Sequence, residues 1–258
     1  MIQGEKRMNE LLDCGMDIGE QMLICGGEVH RVEDSLKRIF HAFGAARIDV
    51  FIITSSMVVT IHTADGEAFT QTRRITDTGI DFERLHKLNA LSRKICCTKM
   101  TAADIRHELS EIGACKNYPF LLQCICHALI SGCFTLFFGG GMVEAAVSLA
   151  GGIIVRLLVI FSEKAVKNKI FSKFIASFAA TALAWGAFRL GIIPGAHNVM
   201  IGSIMALLPG IGLTNALRDL LVGDSIAGLL RTIEACITAL AIAAGYFVLS
   251  MLTGGTAI

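Results

Sequence analysis

Charge is scarce over more than half of this chain. Of the 45 Asp, Glu, Lys and Arg residues among 258, only 13 follow Tyr118-Pro119, and most of that second stretch is a series of long apolar runs. No water-soluble domain of that composition is expected, so the chain reads as a soluble domain (1–118) joined to a membrane domain (119–258). Other absences exclude whole classes. No Lys/Arg-rich block or basic stripe marks a nucleic-acid partner. The nine cysteines are odd in number and form no CxxC and no Cys/His pair at zinc spacing, so free thiols in a reducing cytosol are expected and no metal site is. No GxSxG elbow accompanies the hydroxyls Thr54-Ser55-Ser56, which leaves turn chemistry as the simpler reading beside a serine nucleophile. No nucleotide-binding signature and no cofactor motif are present. The N-terminal stretch MIQGEKRMNELLDCG is charged and lacks the apolar core of a secretory signal, so the first half is expected to stay in the cytoplasm.

What is present in the first half is an alternation of periods. Leu11, Leu12, Gly15, Ile18, Gly19 and Met22 recur at helical spacing over 7–26, and Gly26-Gly27 ends that helix. Val32, Leu36, Ile39, Phe40 and Phe43 give a second apolar face over 32–43. Residues 47–55, 57–63 and 68–75 are rich in Val, Ile, Phe and Thr, with Asp65-Gly66 as a hairpin turn. Helices follow at about 81–97 and 101–113, the second capped by Thr101 with Asp104. The expectation is a small α+β domain, roughly ααβββαα. Its one chemical cluster is Gly26-Gly27-Glu28-Val29-His30-Arg31-Val32-Glu33, which suits an acid–base site or simply a loop and a charged first helical turn.

In the second half, spans are expected at about 119–138, 142–161, 171–189, 192–212 and 229–252, an α-helical membrane domain of about five helices. Lys164, Lys167, Lys169 and Lys173 place the loop between the second and third spans in the cytoplasm, and with it the N-terminal domain. Five crossings would leave the C-terminus outside, unless 214–228 is re-entrant. Ionisable groups within such a region are costly and are candidates for function. Pro209-Gly210 should break a helix, and Thr214 or Asn215 should cap a new one whose N-terminus could hold an anion. Arg218, Asp219, Asp224, Arg231 and Glu234 complete this group, with Arg231 and Glu234 three residues apart on one face. The competing reading makes 214–234 an interfacial connector with solvated charges. Glu144, Arg156 and Arg189 are secondary candidates, again as costly ionisable groups, although each lies near a span end and could instead snorkel. His127 and His197 suit either a proton relay or a packed, hydrogen-bonded ring.

The combination Gly27, Arg31-Val32-Glu33, the strand Thr54–Thr60, and Pro209-Gly210, Thr214-Asn215, Arg218-Asp219, Gly223-Asp224, Gly228, Arg231 and Glu234-Ala235 resembles the threonine/serine exporter superfamily over essentially the whole length. Within it, the chain is similar to the YjjP-type subunit of split exporters. The resemblance implies a bacterial inner-membrane exporter of a small amino acid or dicarboxylate (threonine/serine or succinate) driven by an ion gradient. It also implies a small YjjB-type membrane subunit as partner, a homo-oligomer being the other assembly considered. The partners are then a small carboxylate substrate and the bilayer. Two other classes stand beside this one. A membrane-anchored hydrolase would use Glu28–Glu33 with Thr54–Ser56, and a sensor or scaffold would bind ligand in the N-terminal domain.

Overall fold

The computed structural model describes residues 2–115, 118–166 and 168–254, the side chains of 2–7 excepted. The chain forms two compact units. One comprises residues 1–116 with 211–232, and the other 117–210 with 233–258. The segment 211–232, which sequence composition assigns to the apolar half, therefore packs in the charged unit.

In the first unit, helices α1 (Ile2–Ile24) and α2 (Val29–Ala42) precede strands β1 (Arg47–Ile53), β2 (Ser56–His62) and β3 (Ala68–Arg74), then helices α3 (Phe82–Cys97) and α4 (Ala102–Gly113). This is the ααβββαα order expected. The sheet is an antiparallel meander, with Val59 of β2 opposite Val50 of β1 and Gln71 of β3. Met57, Val59 and Ile61 alternate inward from β2 and join Leu12, Met16, Ile18, Met22, Leu36, Ile39 and Phe40 in one core. At roughly 1.5–3 kcal/mol for each large apolar side chain buried, that core accounts for the stability of the unit. Thr101 and Asp104 form a reciprocal capping box at α4, which fixes where that helix begins. Thr54 and Ser55 make the β1–β2 turn, and the Ser56 hydroxyl donates to the Arg73 carbonyl at 3.4 Å. Cys14 and Cys25 are buried free thiols, and burial pushes both above the ordinary thiol range.

The first unit is completed by α9 (Gly210–Val222) and the opening turns of α10 (Ser225–Leu252), whose Ala227 enters the same core. Thr214 and Asn215 lie inside α9 and do not cap it. Pro209 cannot continue a helix from the preceding residues, so α9 begins directly after it, at Gly210.

The second unit contains α5 (Phe120–Phe137), α6 (Met142–Val166), α7 (Lys169–Arg189), α8 (His197–Met205) and the rest of α10. Among the described residues, four helices, α5, α6, α7 and α10, are long and apolar enough to cross a membrane, and α8 with α9 would make a fifth only as a broken pair. The expected fourth span at 192–212 is thus a nine-residue helix with irregular flanks. Gly191, Pro194 and Gly195 keep the chain before α8 from forming a helix, and Pro209 stops it beyond. The lysine-bearing loop is also shorter than expected. Lys164 closes α6, while Lys169 and Lys173 belong to α7, because the Asn168 side chain accepts from the Ile170 and Phe171 amides and starts that helix early. Lys167 lies outside the described residues. Large apolar side chains such as Leu121, Phe137, Phe161 and Leu240 point outward, as lipid-facing residues do.

Candidate functional site

The two charged motifs, some 190 residues apart, meet in the first unit. Their meeting begins with the corner between α1 and α2. Gly27 donates its amide to the Met22 carbonyl (2.8 Å) and Gly26 to that of Leu23 (3.1 Å), a tight close to α1 in which Gly26 has a φ of 89°. A side chain on Gly27 would collide with the Met22 carbonyl 2.8 Å away, so the backbone here stays bare. The Gly26 and Gly27 carbonyls are then left to face outward, and α9 and α10 supply their donors. Asn215 Nδ2 donates to the Gly26 carbonyl at 3.2 Å, and Arg231 Nη2 to the Gly27 carbonyl at 2.8 Å. A guanidinium at the C-terminal end of α1 also complements the helix dipole.

The neighbouring helix end is served with the opposite sign. Glu28, the N-cap of α2, makes no side-chain capping bond to it. Its carboxylate pairs closely with Arg218 of α9 and loosely, at 4.0 Å, with the exposed Arg31. Asp219 lies at the first turn of α2 instead, 1% exposed, with Oδ2 3.3 Å from Arg231 Nη1. The Val29 amide faces it and favours the charged form, yet neither carboxylate oxygen receives a hydrogen bond of good geometry. Burial holds the Asp219 carboxyl above the usual carboxylate range. Arg231 opposes that shift, while Asp224 and Glu28 add to it. Asp224 closes the α9–α10 turn, accepting the Gly228 amide through its own carbonyl and keeping a buried, unpartnered Oδ2. Burial likewise raises Glu33 on α2, with Lys37 lowering it and Asp224 raising it further.

Of the predicted site residues, the structure therefore brings together Arg31, Glu33, Asn215, Arg218, Asp219, Asp224 and Arg231. Glu234 is exposed on α10 and Arg231 turns to Asp219 rather than to it. Thr214 is exposed on α9. Pro209 and Gly210 mark the junction between α8 and α9. Among the described residues, no cluster of His, Cys, Asp and Glu could hold a metal ion.

The second unit buries polar groups of another kind. Glu144, a secondary candidate that could instead have snorkelled, is 6% exposed, accepting from the Gly141 amide (2.6 Å) and Asn198 Nδ2 (3.5 Å). The tight Gly139–Gly141 connection presents that amide to it, which satisfies the carboxylate without solvent. Arg156 bonds Gln123 on α5, His127 Nδ1 lies 3.0 Å from the Gln123 carbonyl, and Arg189 stacks its guanidinium 5.5 Å from the Trp185 ring centroid. His197 is exposed at the start of α8. A hydroxyl seam joins α5, α6 and α8. Thr135 and Ser148 donate to the Ser131 carbonyl at 2.9 and 3.0 Å, and Ser148 meets Ser203 at 3.1 Å. Sequence reading passed over this seam, although Ser131 and Thr135 sit four residues apart in an apolar run.

A charged α+β unit, a helical unit with membrane-capable helices and buried ionisable groups define a multi-pass membrane protein of transporter type. Residues 13–253 match the family described as "Putative threonine/serine exporter", and the chain belongs to that family. It is similar to the "Probable succinate transporter subunit YjjP" of Klebsiella aerogenes, with 26% identity over 222 residues and 85% of each chain covered. It is also similar to the protein of the same name in Escherichia coli K12, with 23% identity over 239 residues, 91% of this chain and 90% of the relative. No solved structure matches.

Proposed function

We propose that the chain is one subunit of an inner-membrane exporter for a small carboxylate, of the succinate or threonine/serine class, driven by an ion gradient and completed by a small YjjB-type membrane subunit. The observation that carries this reading is the buried Asp219–Arg231 pair. It sits at the mouth of α10, which runs without interruption from the charged unit into an apolar stretch long enough to span. A change of charge at Asp219 alters what Arg231 holds, and Arg231 is part of that helix. The family and the names of the two relatives agree with export of a small acid.

Lys164, Lys169 and Lys173 favour a cytoplasmic junction between α6 and α7, with the N-terminal unit on the same side. Because α9 packs in that unit, the chain must then recross between α7 and α9. A nine-residue α8 with irregular flanks can do so only where protein shields its backbone, and Val199, Met200, Gly202 and Ser203 are indeed buried.

The test is counterflow of labelled succinate, threonine and serine in proteoliposomes, with and without the partner subunit. Flux that needs both chains and collapses in Asp219→Asn and Arg231→Ala supports the reading. Undiminished flux in both variants, well folded, rejects these roles.

A further inference from the structure

We propose that the pocket occupied by Asp219 is a receptor for a ligand carboxylate, and that Asp219 is its internal placeholder. The inference rests on the reading above that a small carboxylate is transported. A carboxylate whose task is only to close a fold takes hydrogen bonds from its surroundings, since a buried acceptor left unmet costs about 1–3 kcal/mol, and more when charged. Asp219 is 1% exposed, and neither oxygen takes one of good geometry, the Val29 amide only facing it. Its guanidinium partner aligns with the Gly27 carbonyl and only approaches Asp219 at 3.3 Å. A guanidinium has five N–H donors in a fork that matches a carboxylate edge on, so donors remain at Arg231 for a better-placed occupant.

The start of α2 contributes in the same direction. It carries amides without intrahelical partners and the positive end of a dipole, and its own N-cap side chain leaves it uncapped. The same loop borders a cleft of about 130 Å³, lined by Gly26, Gly27, Glu28, Arg31, Phe82 and Asn215 among others. That volume suits an acid of a few carbons and is well below the roughly 300 Å³ at which pockets for larger ligands begin. Glu28 is engaged closely by Arg218 and only loosely, at 4.0 Å, by the exposed Arg31, which can therefore turn to an anion.

Charge sets the exchange. The groups facing Asp219 are Arg231 from α10, Asp224 from the α9–α10 turn, and Glu28 with the Val29 amide from the α1–α2 corner. Two carboxylates already surround the pocket, so a second anion cannot enter beside a charged Asp219. The ligand carboxylate replaces Asp219 when Asp219 takes one proton from solution, and the charge in the pocket is unchanged.

The experiment uses the full chain in detergent and follows thermal unfolding with formate, acetate or, as control, chloride at equal ionic strength. In Asp219→Ala the receptor is vacated. Formate and acetate should raise its midpoint by several degrees, and should not raise that of the parent or of the Asp219→Ala/Arg231→Ala double variant. Equal shifts with chloride, or in all three proteins, overturn the proposal. If Asp219→Ala does not fold, the isosteric Asp219→Asn decides by calorimetric binding of succinate. A placeholder that has lost its charge competes less, so affinity should rise about tenfold over the parent at neutral pH, with the parent approaching the variant on mild acidification. Unchanged or weaker binding overturns it. Flux without formate rescue rejects the receptor and leaves the exporter reading intact, whereas rescue without flux does the reverse.

Discussion

The two units handle buried polarity in opposite ways. In the charged unit, full charges are buried at one corner, Asp219 against Arg231, and the oxygens of Asp219 lack a hydrogen bond of good geometry. In the apolar unit, most buried polar groups are neutral hydroxyls bonded to backbone carbonyls, and the buried carboxylate among its described residues, Glu144, has its donors within reach. Where water is close, an imperfectly met charge can persist because protonation or a ligand relieves it. In a bilayer it has no such relief, and the Glu144 carboxylate and the Thr135 and Ser148 hydroxyls are satisfied in place, while the buried polar atoms left over (Ser131 Oγ, Arg156 Nε and Trp185 Nε1) carry no anionic charge. The comparison separates a corner built to change from a seam built to stay.

The largest expected break is in the seam. A Cβ on Gly202 would fall on Thr135 Oγ1 and 2.8 Å from the Ser131 carbonyl, so Gly202→Val should force α5 and α8 apart and leave no monodisperse protein in size-exclusion chromatography. Next comes the corner. Arg231→Ala strands a buried carboxylate and should cost about 3–5 kcal/mol in denaturant unfolding. Ser148→Ala removes two hydrogen bonds between apolar helices, to the Ser131 carbonyl and to Ser203, and should cost about 1–2 kcal/mol, visible as a small shift in the melting midpoint. Arg218→Ala, whose side chain is 56% exposed, should cost under about 1 kcal/mol in denaturant unfolding. A loss in Arg218→Ala similar to that in Arg231→Ala would erase the distinction between clasp and rim.

The smallest effect tests titration. Burial raises the carboxyl of Glu33, so ionising it in the folded state weakens folding at neutral and alkaline pH. Glu33→Gln removes that penalty. Its melting midpoint should exceed that of the parent at alkaline pH, and the gap should close as pH falls through the folded and then the unfolded carboxyl range. A gap independent of pH would assign Glu33 only to its contact with Lys37.

Local features were legible from residues alone. The period of 3.6 against that of 2 marked α1, α2 and the three strands, Thr101 with Asp104 marked the start of α4, and Asp65-Gly66 marked a turn. The members of the charged corner could also be named, because Arg218, Asp219 and Arg231 are conspicuous beside apolar runs. Their partners could not. The Gly26 and Gly27 carbonyls carry no side-chain signal, and a bond such as that of Asn215 to Gly26 spans 189 residues, which no periodicity records. The fourth span misled for a related reason. Hydropathy averages over 192–212 without registering that Pro194-Gly195 before and Pro209 after confine the helix between them, which runs for nine residues. The burial of Glu144 was not legible either, because the amide that satisfies it comes from a glycine turn.

The 204 residues between Gly27 and Arg231 also set a clock. A ribosome adding roughly 5–20 residues per second needs on the order of 10–40 s to make that interval. During synthesis, α1 and α2 therefore present two bare carbonyls and an uncapped helix start for many times longer than a small domain takes to fold. Until Arg231 is made the corner cannot close, and over that interval a nascent chain is open there to capture by a chaperone or a protease.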